Sequence, residues 1–159
     1  MATMNNVTRL LDAKKIKYQA FELPAEKLGA LESARQLGVS PEMVFKTIVI
    51  VRKPGKPVLA VVPGSAEANL KAIAKVLGEK KVFLPTQAEA EKLTGLQAGG
   101  ISPLALLNKG FRVLLDESAH DYDEIHISGG QRGLNIRLGV SDLVKLTNAR
   151  VASISQVVV

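Results

Sequence analysis

The chain has 159 residues, 47% of them hydrophobic, which suits a single domain over residues 1–159 built round one core. It contains no cysteine, which excludes disulfides, thiolate metal sites and an enzymic cysteine nucleophile; with 4% aromatics and no tryptophan, a platform for stacking bases is disfavoured. Lysine and arginine number 21 against 15 acidic residues, a formal +6 that either draws a polyanion such as RNA or only keeps the chain in solution.

Met1 to Leu10 has no apolar h-region, and no later stretch approaches a membrane span, so a soluble cytoplasmic protein with no membrane partner is expected. Val7, Leu10 and Leu11 at helical spacing predict a short helix over 6–15, with Asn6 capping its first turn. Ile16 to Leu23 alternates as a strand and is ended by Pro24. Leu31 to Leu37 is rich in helix formers and is followed by Gly38, where a left-handed cap belongs; Ser40-Pro41-Glu42 then restarts a helical turn.

Val44 to Val51 is apolar on both faces, the pattern of a strand covered on two sides. The turn Lys53 to Pro57 and a second apolar strand, Val58 to Val62, complete a hairpin stopped by Pro63-Gly64. A helix is expected from Glu67 to Leu77, closed by Gly78, then a short strand from Lys81 to Leu84, and a helix opened by the capping box Thr86 to Glu89 and running to Thr94.

Thr94 to Pro103 is a glycine-dense loop leading toward a helix at Pro103. Arg112–Asp116 and Glu124–Ser128 read as strands joined by an acidic turn, Leu134–Leu138 as another, Ser141–Thr147 as a capped helix, and Val151–Ile154 as a last strand or tail. Seven or eight strands and five helices, without a repeat, predict a mixed α/β fold: a curled, barrel-like mixed sheet with helices outside it.

Lys46 lies on the strand with two apolar faces, where an ammonium is either paired and functional or snorkels to solvent; Thr47 beside it points to the opposite face. Ser128-Gly129-Gly130-Gln131-Arg132-Gly133 sits between two strands, so it is either an anion-binding turn with Arg132 as a phosphate contact or a plain hairpin loop. Gly99-Gly100-Ile101-Ser102-Pro103 offers a second bare backbone able to line a pocket or an oxyanion hole. Neither loop has the strand-nucleophile-helix setting of a catalytic serine, so Ser128 and Ser102 read as hydrogen-bonding groups. The run Asp116, Glu117, Asp121, Asp123, Glu124 with His120 fits no metal-ligand spacing and reads as a solvated turn, while His126 borders the second loop. No cofactor is called for.

Val44-Phe-Lys-Thr-Ile-Val-Ile50, Val61-Val-Pro-Gly64, Thr94 to Pro103, Ile127-Ser-Gly-Gly-Gln-Arg-Gly-Leu134 and Asp142 to Thr147, in this order and spacing, resemble the YbaK family of aminoacyl-tRNA deacylases. The resemblance implies a fold related to the editing insertion of bacterial prolyl-tRNA synthetase, and hydrolysis of Cys-tRNA(Pro), with relatives that remove alanine, serine or threonine. It implies catalytic positions at Lys46, Gly99, Gly100 and Ser128, and substrate contacts at Thr47, Ile101, Gly129, Gly130 and Arg132. The implied partners are a tRNA acceptor stem carrying its amino acid and, as an alternative source of tRNA selection, prolyl-tRNA synthetase. The cysteine branch implies attack by the substrate's own thiol on its ester, in keeping with a sequence that shows no cysteine, no triad pattern and no metal cluster. Phe21-Glu22-Leu23-Pro24, Leu28-Gly29 and Ser65 depart from the family pattern, which puts the choice of amino acid in the region before Lys46. A binding module that holds the acceptor stem without hydrolysis is the reading from another class.

Overall fold

A computed structural model describes residues 5–25 and 29–158; Leu28 of the divergent Leu28-Gly29 pair lies outside them. Nine strands and five α-helices form a mixed α/β arrangement among the described residues. Its hydrogen-bonded ladders divide into three sheets. β2 (Phe45–Ile50), β3 (Val58–Pro63), β5 (Arg112–Asp116) and β8 (Arg150–Ala152) form the central one in that order, with β2–β3 antiparallel and the other two pairs parallel. β1 (Tyr18–Glu22), β7 (Leu134–Gly139) and β6 (Glu124–Ser128) form an antiparallel sheet, and β4 (Ala66–Ala68) pairs with β9 (Ser155–Val157). A single bridge, Val44 to His126, links the edge of β2 to β6.

The central sheet explains why its strands are apolar on both faces. Leu59 and Val61 of β3, with Phe45 and Val49 of β2, pack against Ile125, Ile127, Ile136 and Leu138 of the three-stranded sheet. Val58, Ala60 and Val62, the alternate residues of β3, pack with Ile73 and Ala74 of α3 (Leu70–Leu77) on the other side. α1 (Asn6–Ala13) and α5 (Val140–Thr147) add Val7, Leu11, Val140 and Leu143 to the first cluster. Complete burial of such a side chain contributes about 1.5–3 kcal/mol, so these two layers hold the sheet edges where the functional loops begin.

Local expectations shifted where a distant partner intervened. α1 is capped by Asn5 rather than Asn6, in a reciprocal box with Thr8. The helix expected from Glu67 begins only at Leu70, because Ala66–Ala68 is drawn into a ladder with Ser155–Val157 and Asn69 becomes the cap. Of Lys81–Leu84, only Phe83 pairs, with Val51. Beyond Pro103 the chain makes turns and a short 3-10 segment, Leu107–Lys109, in place of an α-helix. Ser40 and Ser141 do not cap: the Ser40 hydroxyl turns to Glu42, and Gly139 stands at the N-cap of α5. α2 (Ala30–Leu37) and α3 end as expected, on left-handed Gly38 and Gly78, α4 (Gln87–Thr94) runs to Thr94 as expected, and the capping box of Thr86 with Glu89 is formed. No helix among the described residues is long and apolar enough to cross a membrane.

Candidate active site at the free edge of β2

Among the described residues β2 has a partner strand on one side only. Gly64 N–H donates to Val44 O (2.7 Å), and the register runs Lys46 to Val62 and Ile48 to Ala60, so the even-numbered residues turn their peptide groups toward β3. Phe45, Thr47, Val49 and Val51 turn theirs outward. Val51 is satisfied in both directions by Phe83, at 2.8 and 2.9 Å, and the bridge to His126 covers the other end. Between these two covers, at Thr47, the outer edge of the strand opens on a cavity of about 300 Å³.

This cavity is bounded mainly by apolar side chains, among them Leu23, Pro24, Ala30, Phe45, Ile101 and Leu134. Its polar lining is Ser33, Lys46, Thr47, Ser128 and Asn135, with bare backbone at Gly99 and Gly133. No carboxylate, imidazole or thiol lines it among the described residues. Gly133 has φ +86, and a Cβ there would lie 2.8 Å from Leu23 O, so any side chain would push away the Leu23 segment that forms part of the wall.

Lys46 is half-buried at the rim. Burial lowers the pKa of its ammonium, an effect partly opposed by the negative charge of Glu67, and no carboxylate among the described residues comes within 4.0 Å of it. It therefore keeps an unneutralised cation against an apolar cavity, combining both readings its sequence position allowed. Thr47 Oγ1 is buried and has no hydrogen-bond partner, although an orphaned hydroxyl costs about 1–3 kcal/mol in such surroundings.

The two glycine loops are stapled together. Ser128 Oγ donates to Gly99 O (3.4 Å) and accepts from Gly130 N–H (3.3 Å), while Arg132 Nε donates to Ala98 O at 2.6 Å. Gly100 is buried where a Cβ would come within 2.9 Å of Gln131 Cα, so a residue without a side chain is required for the loops to meet. Asn5 ties the same loop to α1 by donating to Gly129 O at 2.9 Å. Of the nine residues expected at the site, Lys46, Thr47, Gly99, Ile101 and Ser128 share the cavity wall. Gly100, Gly129, Gly130 and Arg132 stand behind it and hold the loops, with the Arg132 guanidinium turned to a backbone carbonyl rather than presented as a phosphate ligand.

Sequence reasoning missed Asn135. It is 6% exposed, lies in the wall, and engages His126 through a 2.7 Å contact between Oδ1 and Nδ1. An amide oxygen only accepts, so Nδ1 carries the proton and the amino end of the amide is left for the cavity side. His126 is buried behind it, with its ring 5.6 Å from that of Phe21, and burial holds its pKa below the ordinary value. The available signal was an amide inside the apolar run Leu134-Asn-Ile-Arg-Leu138. Asp116, read as part of a solvated turn, is instead buried: Oδ1 accepts from the N–H groups of Ile154 and Ser155, and Oδ2 from the N–H and hydroxyl of Ser118. No group of three metal-ligating side chains occurs among the described residues.

Residues 25–146 match the aminoacyl-tRNA editing domain. A protein of Enterococcus faecalis with the provisional name Cys-tRNA(Pro)/Cys-tRNA(Cys) deacylase EbsC is 36% identical over 152 residues, 94% of this chain and 92% of that one. A solved structure described provisionally as a trans-editing enzyme for prolyl-tRNA synthetase superposes with a TM-score of 0.81 at 27% identity, covering 97% of this chain and 99% of the other. A proline–tRNA ligase of Thermodesulfovibrio yellowstonii is 28% identical over 94 residues, 59% of this chain and 16% of the ligase. The chain belongs to the aminoacyl-tRNA editing domain family. Within it, the resemblance to the YbaK group carried by the Lys46 strand and the two glycine loops holds.

Proposed function

We propose that the chain is a trans-editing aminoacyl-tRNA deacylase of the cytoplasm that acts on mischarged tRNA(Pro), with Cys-tRNA(Pro) the favoured substrate. The observation that carries this reading is the chemistry of the cavity: a cation, hydroxyls, an amide and bare peptide groups line it, and among the described residues it holds no carboxylate, imidazole or thiol. Such a wall positions and polarises an ester without attacking it. The E. faecalis relative and the prolyl-tRNA synthetase trans-editing neighbour point to the same substrate class.

In the proposed reaction the cysteinyl sulfur attacks its own ester carbonyl. A carbon–sulfur bond forms, the carbon–oxygen bond to the ribose breaks, and the thiol's proton leaves with the ribose hydroxyl. The resulting four-membered thiolactone is opened by water to free cysteine. Lys46 and the peptide groups of Thr47 and Gly99 supply positive potential for the developing oxyanion, and Ser128 and Asn135 orient the ribose and aminoacyl ends.

A panel of mischarged tRNAs tests this. Wild type should release cysteine from Cys-tRNA(Pro) far faster than serine from Ser-tRNA(Pro), because a hydroxyl is the poorer nucleophile, and Lys46→Ala should be nearly inactive. Comparable rates for cysteine and serine, or for alanine, which has no attacking group, would replace the thiol route with water attack. Binding of every tRNA without turnover would make the chain a binding module.

A further inference from the structure

We infer that the single-stranded 3′ end of the RNA leaves the acyl cavity over Lys46 and runs along β2 to a second contact, where Lys53 and Lys81 converge on the ring of Phe83. This rests on the deacylase reading and names the surface that would hold the substrate's RNA.

Three observations place the path. Lys46 and Ile48 line the acyl cavity and also an open cleft of about 500 Å³, so the two spaces adjoin at these two residues. The cleft adds Lys71 of α3 and ends at Leu84, which is 57% exposed. Leu84 is the chain neighbour of Phe83, whose backbone is locked to Val51 at the far end of β2. Lys53, from the turn after β2, and Lys81, from the segment before Phe83, each place Nζ 5.4 Å from the centre of that ring. Neither makes an ion pair within 4.0 Å among the described residues.

Two ammoniums drawn to one ring from separate segments repel each other, and an anion seated between them relieves that repulsion. Lys46, Lys71, Lys53 and Lys81 thus form a cationic row. Among the described residues Glu67 is the one carboxylate in the cleft wall, and its Oε1 already accepts from Gln156 at 3.0 Å; Glu89 interacts electrostatically with Lys53 without an ion pair within 4.0 Å. A basic groove ending at a partly exposed aromatic is the arrangement that holds single-stranded nucleic acid.

The spacing sets the length of RNA required. Five residues of extended strand separate Lys46 from Val51, about 17 Å. A stacked strand advances about 3.4 Å per nucleotide, so roughly five nucleotides are needed to reach Phe83 from the esterified ribose. Lys53 and Lys81 should therefore act only on substrates longer than the terminal nucleotide.

The test compares Cys-adenosine ester with Cys-charged acceptor-stem minihelix of tRNA(Pro), using wild type, Lys53→Ala/Lys81→Ala and a charge-matched control, Lys17→Ala/Lys145→Ala. Lys17 and Lys145 are exposed and line neither the acyl cavity nor the cleft. The first double variant should lose roughly tenfold in kcat/KM on the minihelix, leave the adenosine ester unchanged, and make the salt dependence of minihelix binding shallower by about 1.4 in log–log slope. The control should match wild type. An equal loss in both double variants, a loss on the adenosine ester as well, or no loss on the minihelix would overturn the path. If wild type binds uncharged minihelix through these lysines but hydrolyses neither ester, the path stands and the deacylase reading falls.

Discussion

His126 and Asn135 meet on neighbouring strands, with the imidazole Nδ1 2.7 Å from the amide Oδ1, so a fully buried ring holds a cavity-wall amide in one orientation. Replacing the ring by phenylalanine keeps its bulk beside Phe21 but strands the amide oxygen. His126→Phe should destabilise the fold by about 1–3 kcal/mol in urea titration and lower kcat/KM for Cys-tRNA(Pro) as Asn135 loses its orientation.

The same ring predicts a pH dependence. Burial lowers its pKa below 6.5, so the folded protein keeps it neutral while the unfolded chain takes up a proton below about that pH. The unfolded state then binds more protons, so the histidine's contribution is complete above about pH 6.5 and is lost as pH falls toward the lowered folded value. Thermal melts from pH 7 to 5 should show a smaller fall in Tm for His126→Phe than for wild type; equal falls would mean that His126 does not contribute.

Lys46 should trade stability against activity. Its ammonium is partly desolvated and lacks an ion-pair partner among the described residues, so Lys46→Met, which keeps most of the apolar stem, should leave Tm unchanged or raised by a few degrees. Deacylation should fall by roughly a hundredfold, the usual loss for one removed source of oxyanion stabilisation. A large drop in Tm would make Lys46 structural.

The orphaned hydroxyl of Thr47 gives the matching case at the next residue. Thr47→Val preserves shape and removes a buried polar atom with no partner, so the free protein should be as stable or more stable by urea titration. A lower kcat/KM for the valine variant would place the hydroxyl on the substrate, and unchanged kinetics would leave only the residue's backbone in that role.

Asp116 lies away from the chemistry and should behave in the opposite sense. Its two oxygens accept four hydrogen bonds: two from the N–H groups of Ile154 and Ser155, which fasten the end of β5 to the start of β9, and two from Ser118 in the turn that follows β5. Asp116→Asn replaces one acceptor by a donor facing a donor, and should lower stability by about 2–4 kcal/mol while leaving kcat per folded molecule unchanged. Denaturant titration alongside active-site-normalised rates separates the two.

Elements whose cause was local were legible in the sequence. The Thr86 capping box, the glycines after α2 and α3, and the apolar hairpin of β2 and β3 each arise from residues within a few positions of one another. The meeting of Lys46 with the glycine loops was legible only through the resemblance. Periodicity alone could not bring strands about 80 residues apart to one cavity, and a lysine on an apolar strand has the same pattern whether it is functional or merely snorkels.

Tertiary structure decided the rest. It turned Ala66–Ala68 into a strand because Ser155–Val157 lay alongside, internalised Asp116 because backbone N–H groups from Ser118, Ile154 and Ser155 needed an acceptor, and set Arg132 behind the wall as a tie to Ala98. It also made Asn135 a cavity residue by giving its oxygen to His126. The amino-acid sequence by itself determined which segments would be buried and which backbones would be bare, since those follow from side-chain polarity and the presence of Cβ. Which polar groups face the cavity depended on which partners were already taken, and that is a property of long-range contacts that no local pattern encodes.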